Sequence, residues 1–225
     1  MRLLLDGIRA VYDFDKAAVY TVIIENKKFY MSIVDNFIST LNGDSEKAVL
    51  YTDDKDLVLS KNVVVVDNVF NLDFGSTKLM NALYENFRIK VQNTELQGEY
   101  FELVKVLTSF YDHLEEESDF SVEWKNDVSL LALLKAAGYS FDVYGNRGSL
   151  EQVLDYLHIH RDALGIKLFV FLNSKVLFET DELKRFYEQC DREDIKILNL
   201  DVNSTPQVFD GEKIVRVDKD LCEIF

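Results

Sequence analysis

The sequence predicts an α/β protein in which a mixed, partly parallel sheet carries packed helices and is interrupted by an inserted helical segment. Two continuous apolar runs, Val19–Ile24 and Leu168–Leu172, are typical of strands that are buried on both faces. Between them, residues 76–118 have helical periodicity and no strand signal. Short buried strands that alternate with helices at both ends of the chain therefore favour one α/β domain with a helical insertion.

The first third of the chain is predicted to contain strands and one helix. Leu3–Leu5 and Ile8–Tyr12 flank Asp6-Gly7, a pair that favours a two-residue hairpin turn. Apolar residues recur every four positions from Phe29 to Leu41, which predicts a helix directly after the first buried strand. The other strands predicted here are Ala48–Tyr51 and Val63–Val66.

The middle third is predicted to form two long amphipathic helices. Leu79, Leu83 and Phe87 share one face of the first helix. Thr94, with Gln97 three residues later, has capping-box spacing and is predicted to open the second helix. Because a helical hairpin cannot bury both of its apolar faces alone, we interpret it as a candidate subunit interface; the alternative is that it lies on the sheet.

The last third returns to alternating helices and strands. A helix over Val128–Ala137 is expected to stop at Gly138. Ser149, with Gln152 in capping-box spacing, is predicted to open another helix, and Asp210-Gly211 predicts a closing hairpin. The further predicted elements are the strand Tyr139–Tyr144, the strand Leu168–Leu172, the helix Thr180–Cys190 and the strand Ile195–Leu200.

The composition restricts the classes of function. The formal net charge of −15 opposes non-specific binding to nucleic acid or to an anionic membrane. No apolar run approaches the roughly 20 residues that span a bilayer. Cys190 and Cys222 have no metal-type spacing, so we expect reduced thiols in a cytoplasmic protein. Binding to DNA would require lysines gathered on one surface, or divalent cations that neutralise carboxylates.

The sequence carries no recognisable catalytic pattern. The strand, loop and helix of Val19–Leu41 occupy the position of a phosphate-binding loop, but the loop Glu25-Asn26-Lys27-Lys28 has no glycine, and Glu25 would repel a triphosphate. Asp67 and Asn173 follow apolar strands, and we interpret both as residues that end strands. Nucleophile-elbow, zinc-protease and Cys-x-x-Cys patterns are absent. We therefore expect no catalytic residues and no enzymatic activity.

The densest charge feature is Asp112–Asp127, which holds seven acidic residues and one basic residue, Lys125. Hard cations such as calcium take about six to eight oxygen ligands from flexible backbone and carboxylates. The segment lies between a long helix and the next one, so a bent chain can bring several carboxylates to one point. A cation site is one interpretation, and a solvated acidic surface is the simpler alternative.

Three stretches resemble the Csn-type DNA-end-binding protein of type II-A CRISPR–Cas systems, the accessory subunit used in spacer acquisition. They are TVIIENKKFYMSIVDNFIS (Thr21–Ser39), VEWKNDVSLLALLKAAG (Val122–Gly138) and KLFVFLNSKVLFETDELKRFYEQCDREDIKILNLD (Lys167–Asp201). The resemblance implies an α/β, ATPase-like head with a degenerate P-loop. The implied head covers residues 1–75 and 128–225, and the implied helical leg with its acidic segment covers residues 76–127.

The resemblance also implies a role in adaptive antiviral immunity: a homotetrameric ring, supported by calcium, that holds the ends of double-stranded DNA in a lysine-lined channel without catalysis. The calcium ligands implied by position are Glu123 and Asp127, with Glu117 and Asp119 as further ligands. Ala132 stands where some relatives carry an acid. The implied DNA-binding residues are Lys125 and Lys135, followed by Lys27, Lys28, Lys55 and Lys61. The implied partners are DNA ends, further copies of the chain, and the CRISPR integrase and effector nuclease, with no membrane.

Two other functions stay open from the sequence. One is a degenerate P-loop switch that still binds a nucleotide, and the other is an acidic protein–protein adaptor that never meets DNA. Heat released on mixing with ATP and magnesium would distinguish the first from a DNA-end binder. Charge reversal of the lysines would distinguish the second, because an adaptor would tolerate it.

Overall fold

The computed structural model describes residues 1–143, 146, 148–202 and 209–224. Contacts between Cα atoms divide the chain into two compact units. The head unit comprises Met1–Leu72 and Val143–Phe225, and the helical unit comprises Asp73–Asp142. The sequence placed the helical segment at residues 76–127, whereas the contacts also assign residues 128–142 to the helical unit.

The chain is a mixed α/β protein, as predicted. Its strands are β1 (Arg2–Leu5), β2 (Tyr12–Asp13), β3 (Val19–Ile24), β4 (Ala48–Tyr51), β5 (Asp56–Leu57), β6 (Val63–Val66), β7 (Leu168–Leu172), β8 (Ile197–Val202), β9 (Glu212–Val217) and β10 (Glu223–Ile224). Its helices are α1 (Lys27–Asn42), α2 (Leu59–Asn62), α3 (Thr77–Asn93), α4 (Leu96–Glu116), α5 (Leu130–Ala137), α6 (Leu150–Leu164) and α7 (Thr180–Arg192). A short 3₁₀ turn covers Ser174–Val176.

The strands of the head unit form two sheets within the described residues. The smaller sheet has the order β2-β1-β4-β5 and is antiparallel throughout. The larger sheet has the order β10-β9-β3-β8-β7-β6; its members run parallel except β10, which is antiparallel to β9. Strand β3 pairs along its whole length with β8 on one side and β9 on the other. This arrangement confirms the prediction of a mixed, partly parallel sheet.

Strand β3 is buried along its whole length because its two faces enter two different core clusters. Tyr20, Val22 and Ile24 belong to a cluster with α1 and the antiparallel sheet. Val19 belongs to a second cluster, in which Phe169 of β7 packs with residues of α6 and α7. A strand that is covered on both faces has no solvent face to keep polar, so the period-two alternation is lost.

Helix α1 shows how the sequence fixes both the ends and the orientation of an element. The side chain of Asn26 accepts hydrogen bonds at the helix start, and Gly43 ends the helix in the left-handed conformation at φ 86°. Between these caps, Tyr30, Ile33 and Phe37 lie on the buried face. Because these residues are three and four positions apart, they lie on one side of the helix, and that side packs against the core.

The helical unit is built from α3, α4 and α5, and α3 contacts both of the others. Ser76 Oγ caps α3 by accepting from Leu79 N at 3.4 Å, and Ser129 Oγ caps α5 by accepting from Ala132 N at 3.2 Å. The capping box predicted at Thr94 does not form, because the N–H of Gln97 bonds to the backbone oxygen of Thr94 and not to its side chain. Thr94 Oγ1 instead donates to Lys90 O of α3 and accepts from Leu96 N at 3.3 Å, so Thr94 joins the end of α3 to the start of α4.

The prediction at Asp6-Gly7 is confirmed in part: a turn forms, with Ile8 N donating to Leu5 O at 3.1 Å, but the two-residue hairpin does not. Leu3 pairs with Tyr12, so β1 and β2 are joined by a long connection, and the neighbour along the full length of β1 is β4. Ile8 and Ala10 are buried in the core instead of extending a strand. The backbone N–H groups of Arg9 and Ala10 donate to the carboxylate of Glu223 at 2.6 and 3.0 Å, which replaces ladder hydrogen bonds.

Two predictions near the end of the chain also fail. Residues 139–143 form no strand, and Tyr144 lies outside the described residues. Asp210-Gly211 lies between β8 and β9 in the chain but does not close a hairpin. The two strands are not neighbours, because β3 lies between them in the sheet. The closing antiparallel pair is β9 with β10, joined through residues 218–222, where Asp218 Oδ1 accepts from Cys222 N at 2.8 Å.

Candidate functional site

The loop between β3 and α1 occupies the position of a phosphate-binding loop, and its own side chains fill it. Asn26 Oδ1 accepts from Lys28 N at 3.1 Å and from Phe29 N at 3.2 Å, which are donors that an anion at a helix start would use. The carboxylate of Glu25 lies beside this loop, 3.0 Å from Arg216 Nε. A triphosphate would have to displace the cap and approach a carboxylate, so the geometry opposes nucleotide binding at this loop.

The carboxyl end of β7 is likewise used for structure. Asn173 adopts the left-handed conformation at φ 53° and ends the strand. Its amide donates to Tyr30 Oη at 2.9 Å, and its side-chain oxygen accepts from Val202 N at 2.9 Å. Both ends of this amide are therefore committed to holding α1 and β8, which agrees with the interpretation of Asn173 as a strand-ending residue.

A buried polar cluster lies on the α7 face of the parallel sheet and was missed by the sequence reasoning. Glu212 of β9 is 2.5 Å from Lys175 Nζ and accepts a hydrogen bond from Thr21 Oγ1 of β3. Asn199 of β8 donates to Thr21 Oγ1 and to Tyr187 Oη, each at 3.0 Å. Burial, followed by the charge of Glu212, raises the pKa of Tyr187, so its hydroxyl stays neutral.

This cluster is closed to substrates. The side chains of Lys175 and Glu212 are 5% and 0% exposed, and Lys175 Nζ lies over the rings of Tyr187 and Phe209. A buried charge pair with this many partners joins strands that are far apart in the chain. Polar residues inside apolar strands, such as Thr21 and Asn199, were the available signal for it.

The four acidic residues predicted as calcium ligands lie on or after the end of α4. Glu117 is the C-cap residue of α4, and Asp119, Glu123 and Asp127 follow in the irregular segment before α5. All four are exposed. Across the described part of the chain, no group of three or more His, Cys, Asp and Glu side chains converges as metal ligands would. A single copy, in this conformation, therefore does not fit a closed calcium site.

One acidic side chain of this segment has a defined local role. Asp112 Oδ1 accepts a hydrogen bond from Trp124 Nε1 at 3.1 Å, and the Trp124 ring lies 5.1 Å from that of Tyr111. Asn126 then adopts the left-handed conformation at φ 48°. The irregular segment thus folds back on the end of α4 through Trp124, while the predicted ligands point into solvent.

The six lysines predicted to bind DNA are all exposed. Within the described residues, none of them forms an ion pair. Lys125 and Lys135 belong to the helical unit, in the irregular segment and the last turn of α5. The members in the head unit are Lys27 and Lys28 at the start of α1, Lys55 before β5, and Lys61 in α2. Of the six lysines, only Lys27 and Lys28 are adjacent in the sequence.

Helix α4 has an uncovered apolar face. None of its residues is buried, although its sequence is amphipathic. Five of its exposed apolar side chains share one side of the helix and are 45 to 66% exposed; they are Leu96, Leu103, Val106, Phe110 and Leu114. We call these five residues the α4 apolar strip. It extends over about 27 Å of helix at 1.5 Å per residue, so it is a continuous surface and not an isolated exposed side chain.

A cavity of about 560 Å³ lies among α3, α4 and α5. Arg88 in its wall is already held by Glu85 at 2.5 Å and by Gln92 at 2.8 Å. Phe101 and Leu131 also line it and are about half exposed. Because the guanidinium of Arg88 is paired and no other basic residue lines the cavity among the described residues, it offers no free cation to an anionic ligand.

The fold and these surfaces define a class of protein: an α/β unit with a self-capped loop in place of a phosphate site, joined to a helical unit with exposed apolar surface. A protein-family model described as "CRISPR-associated protein (Cas_Csn2)" matches residues 40–221. The chain belongs to this family of CRISPR-associated proteins, which confirms the family predicted from the sequence. Two of the three stretches that carried the resemblance lie inside the match, and Thr21–Ser39 precedes it.

Among the residues that the structure describes, no helix combines the length and the apolar character needed to cross a membrane. The longest helix, α4, carries charged residues throughout its length.

Proposed function

We propose that the chain binds ends of double-stranded DNA without sequence preference, as a homotetrameric ring that acts in CRISPR spacer acquisition. Membership of the CRISPR-associated family over residues 40–221 is the observation that carries the proposal. We also propose that the chain does this without catalysing a reaction, in the cytoplasm, and that its partners include the CRISPR integrase and effector nuclease.

The head unit supports a binding role better than a catalytic one. Its β3, loop and α1 have the order of a P-loop domain, and we propose that the head is a degenerate form of such a domain. Asn26 caps α1 with its own side chain, and Glu25 lies beside the cap with Arg216. A site whose donors are already satisfied gains little from a phosphate.

The α4 apolar strip supports assembly. A contiguous apolar surface of this length is unusual on a monomer and is typical of an interface. Burying half-exposed Leu, Val and Phe side chains against a second copy contributes roughly 25 cal/mol per Å² of apolar surface. The strip therefore provides a physical reason for copies to associate, and four copies are what the proposal requires.

The charge distribution makes DNA binding possible despite the net charge of −15. Lys27 and Lys28 lie in the first turn of α1, where the helix dipole disfavours cations, and that turn contains no acid. Unpaired lysines at such a position keep a positive local potential. A ring would repeat it in every copy, and binding through phosphates alone would be independent of sequence and would weaken steeply with salt.

We also propose that calcium supports the ring. The predicted calcium ligands of one copy do not converge on one point, so the site would need more than one copy. The segment from Asp112 to Asp127 concentrates negative charge, and its predicted ligands are exposed. Chelation of calcium is expected to reduce the solution mass, because the acidic segments then repel each other without screening. Light scattering with and without a chelator measures this, and an unchanged mass removes calcium from the proposal.

The function is tested by gel shifts on linear and closed circular forms of one plasmid. We expect the linear form to be bound and retained, because only it has ends, and binding to fall as salt rises. Lys125→Glu with Lys135→Glu is expected to abolish retention. The matched control, Lys184→Glu with Lys213→Glu, makes the same charge change at two exposed lysines outside the predicted set and is expected to bind normally.

Each failure has a distinct meaning. Equal binding to both DNA forms contradicts end binding, and no binding to either favours an adaptor function. Heat released on titrating ATP with magnesium favours a nucleotide switch, whereas the self-capped loop predicts none.

A further inference from the structure

A pocket of about 330 Å³ lies at the amino-terminal edge of the parallel sheet, the edge opposite the Asn26 loop. Three basic residues from three different elements line it: Arg161 from the last turn of α6, Lys167 before β7, and Lys196 before β8. Its acidic lining residues are Asp15 and Asp194. The side chains that line this pocket thus carry three positive charges against two negative ones, on a chain whose net charge is −15.

Two of the basic groups are already paired with acids, and those acids differ in exposure. Lys196 is 17% exposed and its partner Asp194 is 85% exposed. Arg161 Nε lies 2.7 Å from Asp162, which is 64% exposed, and Arg161 Nη1 lies 3.8 Å from a carboxylate oxygen of Glu193, which is 32% exposed. Ion pairs with exposed acids such as Asp162 and Asp194 contribute little to stability, so another anion can replace these two partners.

Lys167 completes the set. It is exposed and forms no ion pair within the described residues, although its backbone N–H donates to Asn62 O at 2.8 Å and so fixes the position of its Cα. The floor of the pocket is apolar, with Ile166, Phe169 and Ile195. An apolar floor excludes water from one side of a bound anion, which strengthens its attraction to the surrounding cations.

We propose that this pocket binds a phosphomonoester group. A terminal phosphate carries nearly two negative charges and three acceptor oxygens, which suits three cations that approach from different elements. A phosphodiester in the middle of a strand carries one charge and two free oxygens and is less suited. The group has two sources, the 5′-phosphate of a DNA end or a free phosphorylated molecule, and the first source rests on the proposed function.

The pocket itself is tested with inorganic phosphate in calcium-free buffer, by following amide chemical shifts of the full chain. We expect saturable shifts at Lys167 and Lys196. Lys167→Gln with Lys196→Gln is expected to abolish saturation, whereas the control Lys184→Gln with Lys213→Gln keeps it. No saturable shift in the wild type, or equal saturation in both double variants, overturns the proposal.

The source is tested with short linear duplexes that differ only in a 5′-phosphate or a 5′-hydroxyl. If the group is a DNA end, the phosphorylated duplex binds about fivefold more tightly, as expected for one added charge-assisted contact, and the pocket variant loses this preference. Phosphate saturation without any preference between duplexes assigns the pocket to a free phosphorylated molecule. If neither duplex binds, the proposed function is contradicted. The pocket proposal is then decided by the titration with inorganic phosphate alone.

Discussion

The two units of the chain differ in how completely they bury their apolar side chains. The head unit encloses two core clusters, and β3 is buried along its whole length. In the helical unit, by contrast, neither α4 nor α5 has a buried residue, and α3 has one, Leu79. The head unit thus has the core of a self-sufficient domain, whereas the helical unit has amphipathic helices whose apolar surface stays accessible. This difference indicates that the surface through which copies of the chain associate lies in the helical unit.

The largest expected effect on stability is in the core of the head unit. Phe37→Ala removes a fully enclosed ring and is expected to lower the free energy of unfolding by about 3–5 kcal/mol. Phe120→Ala, at a side chain that is 79% exposed, is the matched control and is expected to change it by less than about 0.5 kcal/mol. Urea unfolding followed by circular dichroism compares them, and equal costs would break the contrast between the units.

The buried charge pair of the head unit gives the next largest effect. Glu212→Gln removes the carboxylate charge that Lys175 pairs with and is expected to cost about 3 kcal/mol. Adding Lys175→Met should recover part of this loss, because the buried cation is then gone as well. A double-mutant cycle of unfolding free energies measures the coupling, and additive costs would show that the two groups do not act as a pair.

A smaller effect is expected at the contact between α6 and the end of α7. Burial alone would raise the pKa of Glu193, but hydrogen bonds from Gln189 and His158 and the charge of Arg161 outweigh it and lower the pKa. A carboxyl group whose pKa is lowered by folding stabilises the protein above its unfolded pKa of about 4.3 and loses this contribution as the pH falls through its folded pKa.

Glu193→Gln is therefore expected to destabilise the protein by less than about 1 kcal/mol at neutral pH and to differ less from the wild type in acid. Unfolding in urea at a series of pH values checks the sign. A difference that grows as the pH falls would contradict it.

The smallest effect on folding, with a large effect on mass, is expected at the α4 apolar strip. Val106→Glu with Phe110→Glu should change the free energy of unfolding of a single copy by less than about 0.5 kcal/mol, because both side chains are already exposed. Fluorescence of Trp124, the single tryptophan, reports on the helical unit alone. The control Glu102→Lys alters a charged residue of the same helix outside the strip.

The sequence predicted best those elements whose signal is local. The apolar runs of β3 and β7 and the capped, periodic helices α1 and α6 were found because a few neighbouring residues decide them. Ile8–Tyr12 and Asp210-Gly211 failed because their partners are distant in the chain: Glu223 takes the N–H groups of one, and β3 separates the strands beside the other.

The candidate sites show the same limit. The missing glycine at Glu25-Asn26 predicts a loop without a phosphate site, and the loop caps its own helix through Asn26, a property that depends on the loop itself. The Lys175–Glu212 pair could not be predicted, because it joins residues that only the sheet order brings together. Periodicity predicted that α4 is amphipathic, but it did not indicate which part of its apolar arc would stay exposed.

The central claim is that copies assemble through the helical unit to hold DNA ends. It is tested most directly by size-exclusion chromatography with light scattering on the protein mixed with a short linear duplex. The wild type is expected to elute as one species with the mass of four chains and one duplex. Val106→Glu with Phe110→Glu is expected to elute as smaller species with the duplex released. A wild type that stays a single copy, or a variant that keeps both mass and duplex, would contradict the account.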